Sequence, residues 1–589
     1  MPRTDKLSLK TFWDAVEGQL AALSTDELRS ILRALAVETR PLERRAFLDK
    51  LKPAKQVAAR ARKAAADDEL LSDIDDLVEE FREKMGSAEE PWEDERHGYW
   101  DDDYYNDEDS VGPYEEFVEP LAGLFDRAEA AFDYGNLPLA RDAYRKLFEE
   151  ALHLEDDYGR GVSASDLSGV DIGEACARYL RAVYETKQPA RRPASLLEQM
   201  RQMPGWIAQY PTFDDILQIS PKPLPDQDRF LADWIALLRK QSGNDADAWL
   251  REAVRLLQGA AGLEELARAE GKNRPRAYLD WFTALEEDGK HRETLTAAQE
   301  ALQKLPAKLP IRAAIADHLC AAAAKLKDDE ALRAGRWEAF AAKPTLPRLL
   351  DLWDAAPAGE RPALMQQAAD RVKDYLAHPP RDSQMTNDWR EDSLESPAWI
   401  DNSILAHIHL LAGDWDAAHQ LAVHQKPLGW SSRDNPQGLA VAAFLALLSG
   451  KPPATLPANL AQLWQGRLQA SVGFGYEGSS GEGGLLKRLE KTYAEQFPRA
   501  SLSKTQEKDF LAWCLEAANQ RVDAIVGGQH RGSYDKAAVL IAACAETLRQ
   551  RGHDKEADAV LDDVRNRFPR HRAFLAELDT ATQRVKRKK

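Results

Sequence analysis

From about residue 113 onward, apolar residues recur at helical spacing in one segment after another, and short turns rich in Gly, Pro or Asp separate these segments. Apolar residues three or four positions apart fall on one face of a helix, and that face is suited to packing against a neighbouring helix. Alternating β-branched runs closed by Asn-Gly, the pattern typical of β-hairpins, are essentially missing from the sequence. The sequence therefore predicts an all-α fold.

Four segments also resemble tetratricopeptide (TPR) repeats, in which a glycine turn joins two antiparallel helices. A small residue follows each glycine at +5 and an apolar residue follows at +9, where close helix approach requires them. These glycines are Gly135, Gly289, Gly413 and Gly552. Their spacing is not a multiple of about 34 residues. The pattern predicts a degenerate TPR-like helical-repeat solenoid, although any helical hairpin with a glycine turn gives the same local signature.

The chain divides by composition into five segments. Residues 1–86 are predicted to form a small N-terminal helical module, with a helix start at Ser24 and a basic, Ala-rich stretch at 52–63. Residues 117–375 and 401–589 are predicted to form two sets of TPR-like helical repeats. Between them lies 376–400, a candidate hinge rich in Pro, Asp and Trp.

The remaining segment, 87–116, is strongly acidic. It holds thirteen Asp and Glu residues, and Arg96 is its only Lys or Arg. Like-charge repulsion opposes collapse, so we expect a disordered linker there. Aromatic side chains in such a segment can become ordered on a basic, apolar partner. The candidate partner-binding residues are Trp92, Trp100, Tyr104 and Tyr105.

Two basic patches are candidate nucleic-acid contacts, because Lys and Arg neutralise phosphates. The first comprises Arg60, Arg62 and Lys63, and the second is the tail formed by Lys586, Arg587, Lys588 and Lys589. A solvated tail, and pairing of the first patch with the acidic segment, are the alternatives. The formal net charge of −19 argues against nucleic acid as the main partner of the whole surface.

Several stretches carry a family resemblance, among them ADAWLREAVRLLQGAAGLEELAR (246–268) and GRWEAFAAKPTLPRLLDLWDAA (335–356). Across roughly 115–360 the chain resembles the helical repeat region of bacterial SWIM zinc-finger proteins and related uncharacterised helical proteins. The resemblance implies helical repeats and brings no catalytic motif. A zinc finger needs clustered Cys and His ligands, whereas the four cysteines here are at least thirty residues apart. The zinc finger is therefore not carried over.

No motif predicts a catalytic, cofactor-binding or metal site. The run at 473–478 matches G-x-G-x-x-G, but a helical stretch precedes it where a dinucleotide site needs a strand. Cys176 lies in an apolar helical stretch, which favours a buried thiol over a nucleophile. Four histidines cluster without the i, i+4 spacing of a helical metal site, namely His407, His409, His419 and His424.

The function expected from these observations is that of a non-enzymatic scaffold or adaptor, which binds protein partners on the surface of stacked helices. The alternative is a regulatory subunit of a nucleic-acid-associated or prokaryotic defence-type complex, with the basic patches on nucleic acid. The dispersed cysteines do not form a disulfide framework, and no run of about 18 apolar residues is present. We therefore expect a cytoplasmic protein with no cofactor and no membrane association.

Overall fold

The computed structural model describes residues 8–38, 69–86, 112–156, 160–203, 211–380, 394, 396–398, 400–430, 436–472 and 484–586. Throughout these residues the regular elements are helices, most of them α-helices, and none is a strand. The predicted all-α class is confirmed. The chain forms two compact units, Met1–Glu265 and Leu266–Lys589.

The α-helices of the first unit, with the last continuing into the second unit, are α1 (Leu9–Ala22), α2 (Thr25–Glu38), α3 (Leu70–Gly86), α4 (Val118–Asp133), α5 (Leu137–Lys146), α6 (Ile172–Thr186), α7 (Arg192–Gln202), α8 (Phe213–Gln218), α9 (Gln227–Leu238) and α10 (Asn244–Glu270). Gly259 interrupts α10, since its φ of 62° and ψ of −151° are not helical. The predicted helix start at Ser24 is confirmed, because Glu27 Oε2 accepts hydrogen bonds from the backbone N–H and the hydroxyl of Ser24, at 2.8 and 2.6 Å.

The α-helices of the second unit are α11 (Arg276–Glu287), α12 (His291–Lys304), α13 (Arg312–Leu326), α14 (Asp329–Ala342), α15 (Leu346–Ala355), α16 (Arg361–Ala377), α17 (Asn402–Ala412), α18 (Trp415–Val423), α19 (Pro436–Leu448), α20 (Ala458–Val472), α21 (Gly484–Gln496), α22 (Lys504–Val522), α23 (Tyr534–Gln550), α24 (Asp554–Arg567) and α25 (Arg572–Lys586). Helices α16 and α17 flank the predicted hinge at 376–400, and both contribute to one hydrophobic core that extends to α25. The division between the compact units lies within α10, and the hinge at 376–400 stays a prediction.

In the first unit, α3 supplies a buried apolar face that packs against the helices after the acidic segment. Phe81 of α3 stacks on Phe117, with ring centroids 4.5 Å apart, and meets Tyr114 edge-on at 5.2 Å. Tyr114 is fully buried, and its hydroxyl donates to Asp156 Oδ2 at 2.9 Å. The linker prediction for 87–116 is therefore corrected at its C-terminal end, where a 3-10 helix spans Gly112–Phe117. Aromatic burial and this hydrogen bond outweigh the local charge repulsion.

All four glycines of the predicted TPR-like turns adopt a left-handed conformation, with φ between 70° and 87°. In each turn the residue after the glycine donates its N–H to the carbonyl five positions earlier, at 2.8 to 3.0 Å. This is the Schellman hydrogen bond, which ends a helix and reverses the chain. The +5 residues are fully buried, namely Ala140, Thr294, Ala418 and Ala557. The glycine-turned hairpins are confirmed as local structures.

Two further turns use the same hydrogen bond without glycine. Lys327 and Gln529 have φ of 56° and 59°, and the residues after them donate to carbonyls five positions earlier at 2.9 Å. A glycine-based search cannot find these turns, because packing of the joined helices holds a side-chain-bearing residue in the left-handed region.

A buried carboxylate connects three helices near the C-terminus. Glu546 of α23 is 2% exposed and accepts hydrogen bonds from Asn459 N, Asn459 Nδ2 and Leu460 N at 3.2, 2.7 and 2.9 Å. The N–H groups of a first helical turn have no partner within their own helix, so Glu546 caps α20. Asn459 also donates to the carbonyl of Ala581 in α25 at 3.0 Å. This network fixes the position of α20.

Among the described residues, no helix combines the length and the apolar character needed to cross a membrane.

Candidate functional site

Three consecutive helices of the second unit, α14, α15 and α16, enclose an open cavity of about 480 Å³, which we call the α14–α16 groove. Its size falls within the range of about 300–1,000 Å³ that is typical of ligand pockets. The lining residues are Arg333, Ala334 and Trp337 of α14, Leu352, Ala355 and Ala356 at the end of α15, and Glu360, Ala363, Leu364 and Gln367 at the start of α16.

The groove has an apolar interior and a polar margin. Of its lining residues, Leu352 and Ala356 are buried, while Trp337 and Leu364 are half-buried where they pack against the core. At the margin, the exposed Arg333 carries a positive charge and the exposed Glu360 a negative charge, and the Gln367 amide adds a donor and an acceptor. This arrangement can take an apolar side chain and hydrogen-bond the polar groups beside it.

Arginine side chains of α16 hold the three helices together. Arg361 Nε donates to the carbonyls of Trp353 and Ala356 at 3.1 and 3.2 Å, and its guanidinium lies 4.6 Å from the centroid of the Trp353 ring. Arg371 donates from Nε and Nη2 to the carbonyl of Ala341 at 2.8 and 2.6 Å. Carbonyls in the last turn of a helix lack partners within that helix, and a cation there also interacts favourably with the helix dipole. Helix α16 therefore caps both α15 and α14.

Charged pairs between the helices reinforce this frame. Arg336 of α14 donates to Asp351 of α15 at 3.0 Å, and Arg488 of α21 contacts Asp351 and Asp354 at 2.9 and 2.8 Å. Arg348 of α15 forms two hydrogen bonds to a single carboxylate of α13, at 2.8 and 2.7 Å. Each pair is partly exposed and contributes little alone, but the network limits rearrangement of the helices. The groove is consequently preformed.

The residues predicted from the sequence to bind partners do not lie in this groove. Trp92, Trp100, Tyr104 and Tyr105 fall outside the residues that the structure describes, as do Arg60, Arg62 and Lys63. Lys586 is the last residue of α25, and its side chain belongs, with Arg587, Lys588 and Lys589, to the part of the chain that is not described. The glycine-rich run 473–478 also lies outside the described residues. These predictions stay predictions.

The four cysteines are buried, as predicted for Cys176. Burial raises the pKa of the Cys176 thiol well above its usual value, and raises the pKa of Cys320 to about 11 and that of Cys544 to about 12. A thiol must ionise to act as a nucleophile or a metal ligand. The environments of these side chains therefore oppose thiolate chemistry at neutral pH.

The predicted histidine cluster separates into different environments. His407 is buried, with Nδ1 2.8 Å from the hydroxyl of Tyr493, and burial lowers its pKa to about 4. His409 is also buried, and burial followed by the charge of Lys373 lowers its pKa. His419 packs among aromatic rings, and burial lowers its pKa as well. Within the described ranges, His, Cys, Asp and Glu form no group suited to holding a metal ion.

The groove is not among the sites predicted from the sequence, although the sequence contains a signal for it. Helix α16 has two apolar stripes: Met365, Ala368, Ala369 and Val372 are fully buried in the core, and Ala363 and Leu364 line the groove on an adjacent face. A second apolar stripe on a helix indicates a second packing surface. Its partner surface comes from the 335–356 stretch, and only the folded chain brings the two together.

Neither the family models nor the curated proteins contain a match to this chain.

Proposed function

We propose that this protein is a non-enzymatic scaffold that binds a peptide segment of a partner protein in the α14–α16 groove. The observation that carries the proposal is the preformed apolar cavity of about 480 Å³ with charges of both signs at its margin. Peptide-binding grooves accept apolar anchor side chains in pockets, and polar groups at the rim fix their orientation. The matching ligand is a segment with one or two large apolar side chains between polar residues.

The glycine-turned hairpins support a TPR-like solenoid as the framework for this site. Such repeats use surfaces between successive helices for peptide recognition. The proposed solenoid, and the proposed relation to the helical region of SWIM zinc-finger-related proteins, both rest on these hairpins and on the stretches quoted above. Four buried free cysteines favour a reducing compartment, for which we propose the cytoplasm.

A groove-filling variant tests the proposal without removing core contacts. Ala363 is exposed and lines the groove, so Ala363→Trp places a large ring in the cavity. Ala576 of α25 is also exposed and lies outside the groove, so Ala576→Trp is the matched control. Random peptides displayed on phage are selected on the full chain, and the dissociation constants of enriched peptides are then measured by fluorescence polarisation.

We expect enriched peptides to share a large apolar residue and to bind Ala363→Trp at least about tenfold more weakly, which corresponds to about 1.4 kcal/mol. The control variant should bind them with wild-type affinity. Charge reversal at the margin, Glu360→Arg, should selectively weaken the binding of peptides that have basic residues beside the apolar anchor. Equal affinity of the peptides for Ala363→Trp and Ala576→Trp would show that the groove is not the binding site.

A further inference from the structure

Two arginines of the second unit, Arg467 and Arg521, are near enough for the charge of Arg467 to act on Arg521. Arg521, in the last turn of α22, is 3% exposed, and its Nε is buried with no hydrogen-bond partner. Arg467 of α20 is partly buried. Neither guanidinium forms a hydrogen bond or a salt bridge to a described residue. An unpaired buried charge is among the costliest arrangements in a folded protein.

The guanidinium of Arg467 lies against the first turn of α19. A Cβ built on Gly438 would stand 3.0 Å from both Cζ and Nη1 of Arg467 and 3.2 Å from Nε. A glycine therefore permits this contact. The start of a helix carries a partial positive charge, so its contact with a cation is electrostatically unfavourable unless an anion is present. Helix α19, from Pro436 to Leu448, is long enough to have a developed dipole.

The electrostatic surroundings of the pair agree with this geometry. Burial lowers the pKa of Arg467, and no described acid offsets the effect. Burial, followed by the charge of Arg467, lowers the pKa of Arg521 to about 10, and among the described residues Asp535 acts in the opposite direction. An arginine guanidinium keeps its proton at neutral pH, so both side chains carry a positive charge. The fold thus concentrates positive charge at one place.

We propose that Arg467, Arg521 and the first turn of α19 form a binding site for a phosphate group. The two guanidinium groups carry two positive charges, and the start of the helix adds about half a positive charge. The Asp535 carboxylate subtracts one, so an excess of roughly one and a half positive charges is left. A phosphate group carries about −1.5 to −2 charges at pH 7. Guanidinium groups and the N–H groups of a first helical turn are also the donors that hold phosphate oxygens in many proteins. This site is separate from the α14–α16 groove and does not depend on the proposed function.

Phosphate binding to the full chain tests the proposal. Isothermal titration calorimetry with inorganic phosphate, together with thermal unfolding in phosphate and in chloride at matched ionic strength, compares the wild type with Arg467→Met and Arg521→Met. We expect the melting temperature of the wild type to rise in phosphate, because a ligand that binds only the folded state stabilises it. Each variant should bind phosphate about tenfold to a hundredfold more weakly and lose this rise.

The control is Arg549→Met, which removes a guanidinium that is paired with Asp558 at 2.8 Å on the surface. It should keep the response to phosphate. In phosphate-free buffer Arg521→Met should be at least as stable as the wild type, because it removes an uncompensated charge. A loss of stability there would reveal an internal partner for Arg521 and would overturn the proposal. The proposal would also be overturned if phosphate failed to stabilise the wild type, or if it stabilised both variants as much as the wild type.

Methyl phosphate distinguishes between a site for the free phosphate ion and a site for a phosphate monoester. Binding of inorganic phosphate alone assigns the site to the free ion, whereas equal binding of methyl phosphate assigns it to a phosphate monoester. Stabilisation by acetate or citrate, with none by either phosphate, would refute the assignment to a phosphate group.

Discussion

Acidification should expose the energetic effect of burying His407. The side chain is 2% exposed, its Nδ1 is hydrogen bonded to the hydroxyl of Tyr493, and its Nε2 is buried without a partner. Burial alone lowers the pKa of His407 from the usual 6.5 to about 4. The folded protein therefore holds this imidazole neutral over a pH range in which the unfolded chain binds a proton.

The sign and the size of the effect follow from proton linkage. Between pH 6.5 and about 4 the unfolded state binds one more proton than the folded state, so the free energy of unfolding falls as the pH falls. Above pH 6.5 both states hold the imidazole neutral, so no stability is lost to protonation of His407. One pKa unit corresponds to about 1.4 kcal/mol, so the shift contributes roughly 3 kcal/mol, and this contribution is lost by pH 4. His409 and His419, with lowered pKa values, act in the same direction.

Urea denaturation at a series of pH values measures this effect in the wild type and in His407→Gln. Glutamine does not titrate, so in the variant the difference in unfolding free energy between pH 7 and pH 4 should be smaller than in the wild type by roughly 3 kcal/mol. His424 is exposed, so His424→Gln should keep the wild-type dependence. Parallel losses of stability in the wild type and in His407→Gln would refute the argument that burial controls this imidazole.

Two further predictions concern the framework. Glu546→Gln places an amide N–H₂ against a backbone N–H of α20 and should lower the free energy of unfolding by about 2–4 kcal/mol. The control is Glu577→Gln at an exposed position of α25, which should change the free energy of unfolding by less than about 0.5 kcal/mol. Urea denaturation distinguishes the two, and equal effects would contradict the capping role. Gly552→Ala should cost about 1–2 kcal/mol because φ is 80°. Gly466→Ala, within α20 and with open space around it, should stabilise by roughly 0.5–1 kcal/mol. Thermal unfolding that shows the same sign for both alanines would contradict the proposed constraint at Gly552.

The sequence determined those features that short segments encode. Helical periodicity depends on residues three or four positions apart, so the all-α class could be predicted over most of the chain. A glycine turn needs one residue with freedom at positive φ and a small residue shortly after it, as at Gly289 and Thr294. The burial of Cys176 followed from its apolar helical neighbours. In each case the interactions that decide the structure lie within a few residues of one another.

Only the tertiary structure decided the features that join distant segments. Glu546 caps a helix whose first turn lies 87 positions earlier, and His407 meets Tyr493 86 positions away. Tyr114 belongs to an acidic segment by sequence, but contact with Phe81 places it in the core. The α14–α16 groove and the arginine pair arise in the same way, because each depends on which helix faces pack together. Periodicity gives every helix an apolar face but does not specify its partner, which is selected by complementary shape, hydrogen bonding and charge in the folded chain.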